Sequence, residues 1–132
     1  MVISRAPIVL IADDESVVRD IARRILEDAG YRVLEASDGV EAVQVLQDGA
    51  QIDLLIADLK MPNLDGEEMV RQCRVSDPDL RVLYVSAVID RLFDERPVLW
   101  EGEAYLQKPF SPVALIEAVN LLVYGHVNKP RT

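Results

Sequence analysis

The chain contains one cysteine, one histidine, six glycines and only 5% aromatic residues among its 132 positions. Cys73 alone cannot close an internal disulfide, and it lies among Met69, Val70 and Val75 in a helical pattern, which predicts a packed, unreactive thiol. No apolar run approaches the ~20 residues that cross a bilayer, and Met1 leads into no signal-peptide pattern. The expectation is therefore a cytoplasmic chain without a membrane partner. Basic residues are also scarce, 14 against 23 acidic ones, for a formal charge of −9. Nucleic acid selects clustered Lys and Arg, so direct contact with it is disfavoured, and no helix-turn-helix is left over to make one. No glycine-rich phosphate loop follows the first apolar run, which argues against a nucleotide site. His126, beside Gly125 and Pro130, reads as a surface residue.

Against these absences, half of the residues are apolar. That suffices for one domain over 1–132, with a core from about 7 to 124 and a frayed tail over 125–132. The apolar pattern alternates between two periods. Pro7 to Ala12 is a short branched run stopped by Asp13-Asp14, as in a buried strand. Val17, Val18, Ile21, Ala22, Ile25, Leu26 and Ala29 then recur on one helical face up to Gly30. The alternation repeats. Strands are predicted over Arg32 to Ala36, Ile52 to Ala57, Arg81 to Ser86 and Ala104 to Gln107. Helices are predicted from Asp38, from Asp65 to about Ser76, and after Ser111-Pro112. Asp38 with Glu41 and Asp65 with Glu68 offer capping pairs, and Pro112 suits a first helical position. Pro97 interrupts the stretch where a fourth helix would lie, which predicts a short or irregular element over 87–103.

Strands alternating with helices imply right-handed crossovers and a doubly wound α/β sheet, for which the flavodoxin-like order 2-1-3-4-5 is one solution. In such sheets ligands bind outside the carboxyl ends of the strands, and that is where this chain collects its polar residues. The first strand ends in Asp13-Asp14, the third in Asp58, the fourth in Ser86 and the fifth in Lys108-Pro109. Carboxylates packed together repel one another unless a cation intervenes, and a hard divalent ion such as Mg²⁺ takes one or two carboxylates plus a phosphoryl oxygen. A carboxylate held there can attack a phosphoryl donor while Lys108 and the Ser86 hydroxyl stabilise the transferring oxygens. Taken singly, each residue has a plainer reading. Asp14 could cap the first helix, Lys108 could be a solvated lysine and Ser86 an ordinary strand-end serine. Asp58 is harder to dismiss, since it precedes no immediate helix and leaves a charge beside an apolar strand.

These segments resemble the response-regulator receiver domains of two-component signalling, from about Ile8 to Val123. The resemblance is carried by Val-Leu-Ile-Ala-Asp13-Asp14-Glu, by Asp53-Leu-Leu-Ile-Ala-Asp58-Leu-Lys-Met-Pro-Asn-Leu-Asp-Gly66, by Ser86-Ala87 and by Tyr105-Leu-Gln-Lys108-Pro109-Phe110. It implies that Asp58 is the phosphoacceptor, and that Asp13, Asp14, Asp58 and the backbone carbonyl of Lys60 hold Mg²⁺, with Mn²⁺ as an alternative ion. Ser86 and Lys108 would stabilise the phosphoryl group, and the Lys108-Pro109 peptide would be cis. Tyr105 would change rotamer as a switch, altering the surface of the fourth helix, fifth strand and last helix. Lys60 and Val88 occupy the positions that tune phosphoryl lifetime. The implied partners are a sensor histidine kinase or phosphotransfer protein and a downstream protein or fused output domain, with dimerisation left open. Leu92, Phe93, Val98, Leu99 and Trp100 are expected to pack inward rather than form a partner patch.

Two other classes remain at this point. A haloacid-dehalogenase-type phosphohydrolase also uses an aspartate nucleophile after a strand, but it needs a second acid two residues later, where this chain has Lys60. A receiver-like interaction module without phosphoryl turnover has no need of the full set Asp13, Asp14, Asp58, Ser86 and Lys108.

Overall fold

The alternating periods resolve into strands and helices with boundaries close to those of the pattern. A computed structural model describes residues 5–87 and 102–125. Strands β1 (Ile8–Ala12), β2 (Arg32–Ala36), β3 (Leu54–Asp58), β4 (Val82–Ser86) and β5 (Glu103–Gln107) form one parallel sheet in the order β2-β1-β3-β4-β5. Helices α1 (Ser16–Asp28), α2 (Gly39–Gln47), α3 (Gly66–Ser76) and α4 (Pro112–Tyr124) cover its two faces. The flavodoxin-like order is thus the one adopted. The irregular fourth helix expected around Pro97, Val88, the apolar residues Leu92 to Trp100 and the tail beyond Gly125 lie outside the described residues.

Burial explains the runs. Every residue of β3 and β4 is buried, as befits strands covered on both faces. Leu10, Leu55, Met69 and Tyr84 pack on the side of α2 and α3, while Val9, Leu54, Leu83 and Leu115 pack on the side of α1 and α4. Neighbouring residues therefore alternate between two cores. Cys73 is fully buried on the first of these, and burial pushes its thiol pKa up to about 11, which leaves it inert.

The helix starts follow local chemistry. Asp38 accepts from the Glu41 N–H at 2.8 Å, Asp65 from Glu68 at 2.9 Å and Ser111 from Ala114 at 3.1 Å. Helix α1 departs from the sequence reading. Its N-cap is Glu15, which makes no side-chain cap bond, so Asp14 is not a cap and stays exposed. The apolar face of α1 is also narrower than its pattern: Ala22 and Leu26 are buried, but Val17 and Ile21 are exposed, because the sheet covers only part of the stripe.

At the opposite edge Arg74 reaches from α3 to Glu103 at the start of β5, 2.8 Å away, and the Glu103 side chain is wholly buried. Arg81 closes the other end of the core by donating to the Leu122 and Val123 carbonyls of α4 at 2.6 and 3.1 Å. Among the described residues no helix is long and apolar enough to cross a membrane.

Candidate functional site

The strand order reverses direction between β1 and β3, and the crevice of a doubly wound sheet opens at the carboxyl ends of such strands. Register brings those ends level. Ala12 stands beside Ala57, Asp58 beside Val85, and Ser86 beside Gln107. The next residue after β1 is Asp13 and the next after β5 is Lys108, so residues from four separate segments meet on one rim.

Asp13, Asp14 and Asp58 each offer a carboxylate oxygen, and these atoms all lie within 4.8 Å of one another. Asp13 and Asp58 are buried, at 3% and 5% exposure, whereas Asp14 faces solvent. Asp13 is fixed on several sides. Its N–H donates to the Ala36 carbonyl at 3.1 Å, and its Oδ1 accepts from the Glu15 N–H at 2.9 Å. The Lys108 ammonium stands 2.8 Å from Asp13 Oδ2 and 3.1 Å from Glu15, but 3.5 Å from Asp58 Oδ2. Asp58 Oδ1 accepts from the Lys60 N–H at 3.3 Å.

These contacts leave more negative charge than Lys108 neutralises. Burial and the neighbouring Asp13 charge push the Asp58 pKa up to about 6, against the opposing pull of Lys108 and the Lys60 N–H. Burial works to lower the Lys108 ammonium, but its hydrogen bond to Asp13 and the charges of Asp13 and Asp58 outweigh that, and its pKa lies above the usual lysine value. A cluster of oxygen donors, two of them buried and one strained toward protonation, fits a hard divalent cation: the ion would relieve the repulsion that raises Asp58.

The remaining residues fall around this cluster. Ser86 ends β4 in a buried position and its carbonyl accepts from the Lys108 N–H at 3.1 Å. The Lys108–Pro109 peptide is cis. Tyr105 lies on β5 and stacks on Tyr84, with ring centroids 5.3 Å apart. Lys60, two residues after Asp58, is exposed, and Val88 lies outside the described residues.

Two contributors escaped the sequence reading. Glu15 pairs with Lys108, and Arg19 donates to the Asp13 carbonyl at 2.7 Å. Both sit on an exposed-looking helix start, where a charge normally reads as solvated. The one available signal was Glu15 directly following the acidic pair.

The response regulator receiver domain model matches residues 9–120. The chain belongs to that family. As a receiver domain it is a phosphoacceptor module of two-component signalling. It is 34% identical over 110 residues to the sensor kinase CckA of Brucella abortus, covering 83% of this chain and 12% of the kinase. It is 30% identical over 114 residues to the response regulator SaeR of Staphylococcus aureus, covering 86% of this chain and 49% of the regulator. Among solved structures, a response regulator receiver protein of Sinorhizobium medicae superposes with a TM-score of 0.81 at 32% identity, covering 90% of this chain and 95% of that one. The chain thus spans about 12% and 49% of these two curated relatives, each of which carries the receiver within a longer protein.

Proposed function

We propose that Asp58 of this receiver takes a phosphoryl group from a phosphohistidine of a sensor kinase or phosphotransfer protein. The observation that carries the reading is the Asp13, Asp14 and Asp58 oxygens within 4.8 Å of one another, with the Lys108 ammonium 3.5 Å from Asp58. An Asp58 carboxylate oxygen forms the new O–P bond as the N–P bond of the donor breaks, and the imidazole leaves with the electron pair. Asp13, Asp14, Asp58 and the Lys60 carbonyl would hold Mg²⁺, or Mn²⁺ in its place. Bound there, the ion would neutralise the carboxylates and the phosphoryl oxygens. Lys108 releases its hold on Asp13 and Glu15 to meet the phosphoryl group, and the Ser86 hydroxyl donates to it.

Conversion of a buried carboxylate into an acyl phosphate is a local charge change that biases a two-state element. Tyr105, stacked on Tyr84, is the switch aromatic in this reading, and movement of Ser86 toward the phosphoryl group gives it room. Lys60 and Val88 set the lifetime by crowding or admitting the hydrolytic water. The residues 1–132 act as one unit, cytoplasmic, without direct nucleic-acid or membrane contact, handing the signal to a downstream protein or fused output domain and in some states to a second copy. It accepts and loses its phosphoryl group without processing a substrate, so it is not a turnover enzyme.

The test is acetyl phosphate with Mg²⁺ and intact mass measurement. Wild type gains the mass of one HPO₃ group, while Asp58→Asn does not; an equal adduct on both proteins would move the acceptor elsewhere.

A further inference from the structure

The turn that carries Asp13 and Asp14 is held by a side chain from the second turn of α1. Arg19 folds back so that Nη1 donates to the Asp13 carbonyl at 2.7 Å while Nε donates to Glu35 Oε1 at 3.0 Å. Its side chain is only 17% exposed, and that of Glu35 26%, so neither is a freely solvated charge. Glu35 lies on β2 and is also ion-paired with Arg23, whose Nε stands 2.7 Å from its second oxygen without a hydrogen bond, while Arg23 Nη2 donates to the Val33 carbonyl at 3.3 Å. The backbone of Asp13 is therefore held on both sides, the Ala12–Asp13 peptide by its N–H on the Ala36 carbonyl and the Asp13–Asp14 peptide by Arg19 on its C=O.

We infer that Arg19 is a positioning residue for the acidic pair, and that Glu35 orients it. A planar guanidinium presents donors in a fixed fork, and here one arm is set by the carboxylate of β2 so that the other sets the plane of the Asp13–Asp14 peptide. That plane determines how the chain leaves β1, and so where the carboxylates of Asp13 and Asp14 point before any ion arrives. An ammonium is a point charge on a flexible stem and cannot transmit the orientation. The device also limits its own electrostatic cost. A lone guanidinium beside a cation site would repel the ion, but Arg19 and Arg23 are balanced by Glu35 and by Glu27, whose carboxylate is 3.8 Å from Arg23.

This inference rests on the reading that Asp13 and Asp14 hold Mg²⁺, and the charge of Arg19 supplies a sign that separates positioning from simple electrostatics. If Arg19 acted only as a nearby charge, Arg19→Gln would tighten Mg²⁺ binding and Arg19→Lys would leave it unchanged. If it positions the pair, both variants bind Mg²⁺ more weakly, by about 10-fold, the loss typical when a group that orients a metal ligand is removed.

The experiment is Mg²⁺ titration by calorimetry on the full chain, for wild type, Arg19→Lys, Arg19→Gln, Glu35→Gln and Asp13→Asn. Weaker binding in all three clamp variants is the expected result; wild-type affinity in Arg19→Lys, or tighter binding in Arg19→Gln, overturns the inference. Absence of binding in wild type, or no effect of Asp13→Asn, would instead strike at the metal site. Amide hydrogen exchange in EDTA decides the positioning claim even then. The Glu15 N–H, which donates to Asp13 Oδ1 at 2.9 Å, should exchange several-fold faster in Arg19→Lys, and an unchanged rate overturns the clamp.

Discussion

Gly66 rests against the backbone of Asp58 so closely that a β-carbon built on it would stand 2.4 Å from the Asp58 carbonyl oxygen. The Gly66 N–H meanwhile donates to the Leu59 carbonyl at 3.1 Å, so the start of α3 is bound to the end of β3. Contact with backbone cannot be relieved by a rotamer change. Gly66→Ala should therefore cost about 1–3 kcal/mol or more of stability, the range for overpacking, and the midpoint of urea unfolding checks it. A variant as stable as wild type would mean that α3 is free to shift away from Asp58.

The raised pKa of Asp58 makes a statement about stability in the absence of metal. Its folded value of about 6 lies above the ordinary 3.8, so the folded state binds the proton more tightly than the unfolded chain does. Between those values stability falls as pH rises, and above pH 6 the full penalty of the ionised group is present, on the order of 2–3 kcal/mol. In EDTA, wild type should be less stable at pH 7 than at pH 5, once compared with Asp58→Asn as the reference lacking this group. Asp58→Asn should be the more stable protein at pH 7. Parallel pH profiles of unfolding free energy for the two proteins would contradict the assignment.

Arg74 and Glu103 form an ion pair of which the carboxylate is wholly buried and the guanidinium is 19% exposed. Removing Arg74 takes a charged partner 2.8 Å away from a buried carboxylate that also accepts from the Tyr84 hydroxyl at 3.4 Å, a loss of up to about 3–5 kcal/mol. Arg74→Met should show that loss in chemical denaturation. The double variant Arg74→Met/Glu103→Met should recover most of it, because the buried carboxylate is removed together with its cation. The two single replacements adding without recovery would show that packing, not charge, governs this edge.

Lys108 lies nearer to Asp13 than to Asp58, so it competes with a cation for the same carboxylates. Lys108→Met should bind Mg²⁺ at least as tightly as wild type while accepting phosphoryl groups more slowly, by an order of magnitude or so if one charge-stabilising contact is lost. Calorimetry and the initial rate of acetyl phosphate labelling give the two quantities. Weaker Mg²⁺ binding would mean that Lys108 organises the site rather than competing within it.

Lys60 is exposed two residues after Asp58, to which its backbone N–H donates, and a long cation at that position can contact a phosphoryl group or obstruct water. Lys60→Ala should change the decay of phosphorylated protein several-fold, measured by loss of the mass adduct with time. An unchanged half-life would remove Lys60 from that role.

Much of this protein was legible in its sequence because local physics speaks there. The buried strands announce themselves as apolar runs, and Asp38, Asp65 and Ser111 begin helices through bonds to N–H groups three residues away. The acidic pair, Asp58, Ser86 and Lys108 were visible as polar stops on apolar strands. Periodicity could not rank the strands, since any order of βαβ units has the same local pattern. Nor could it say which part of the α1 stripe would be covered, and Val17 and Ile21 are exposed although they share the period of Ala22 and Leu26. Most of all, it could not separate Arg19 from an ordinary helix-surface arginine. Its roles at the Asp13 carbonyl and at Glu35 exist only after β2 has been laid beside β1. Sequence alone determined which side chains end the strands; the tertiary structure decided which of them meet, because register and crossover bring together atoms that the chain keeps as many as 95 residues apart, as between Asp13 and Lys108.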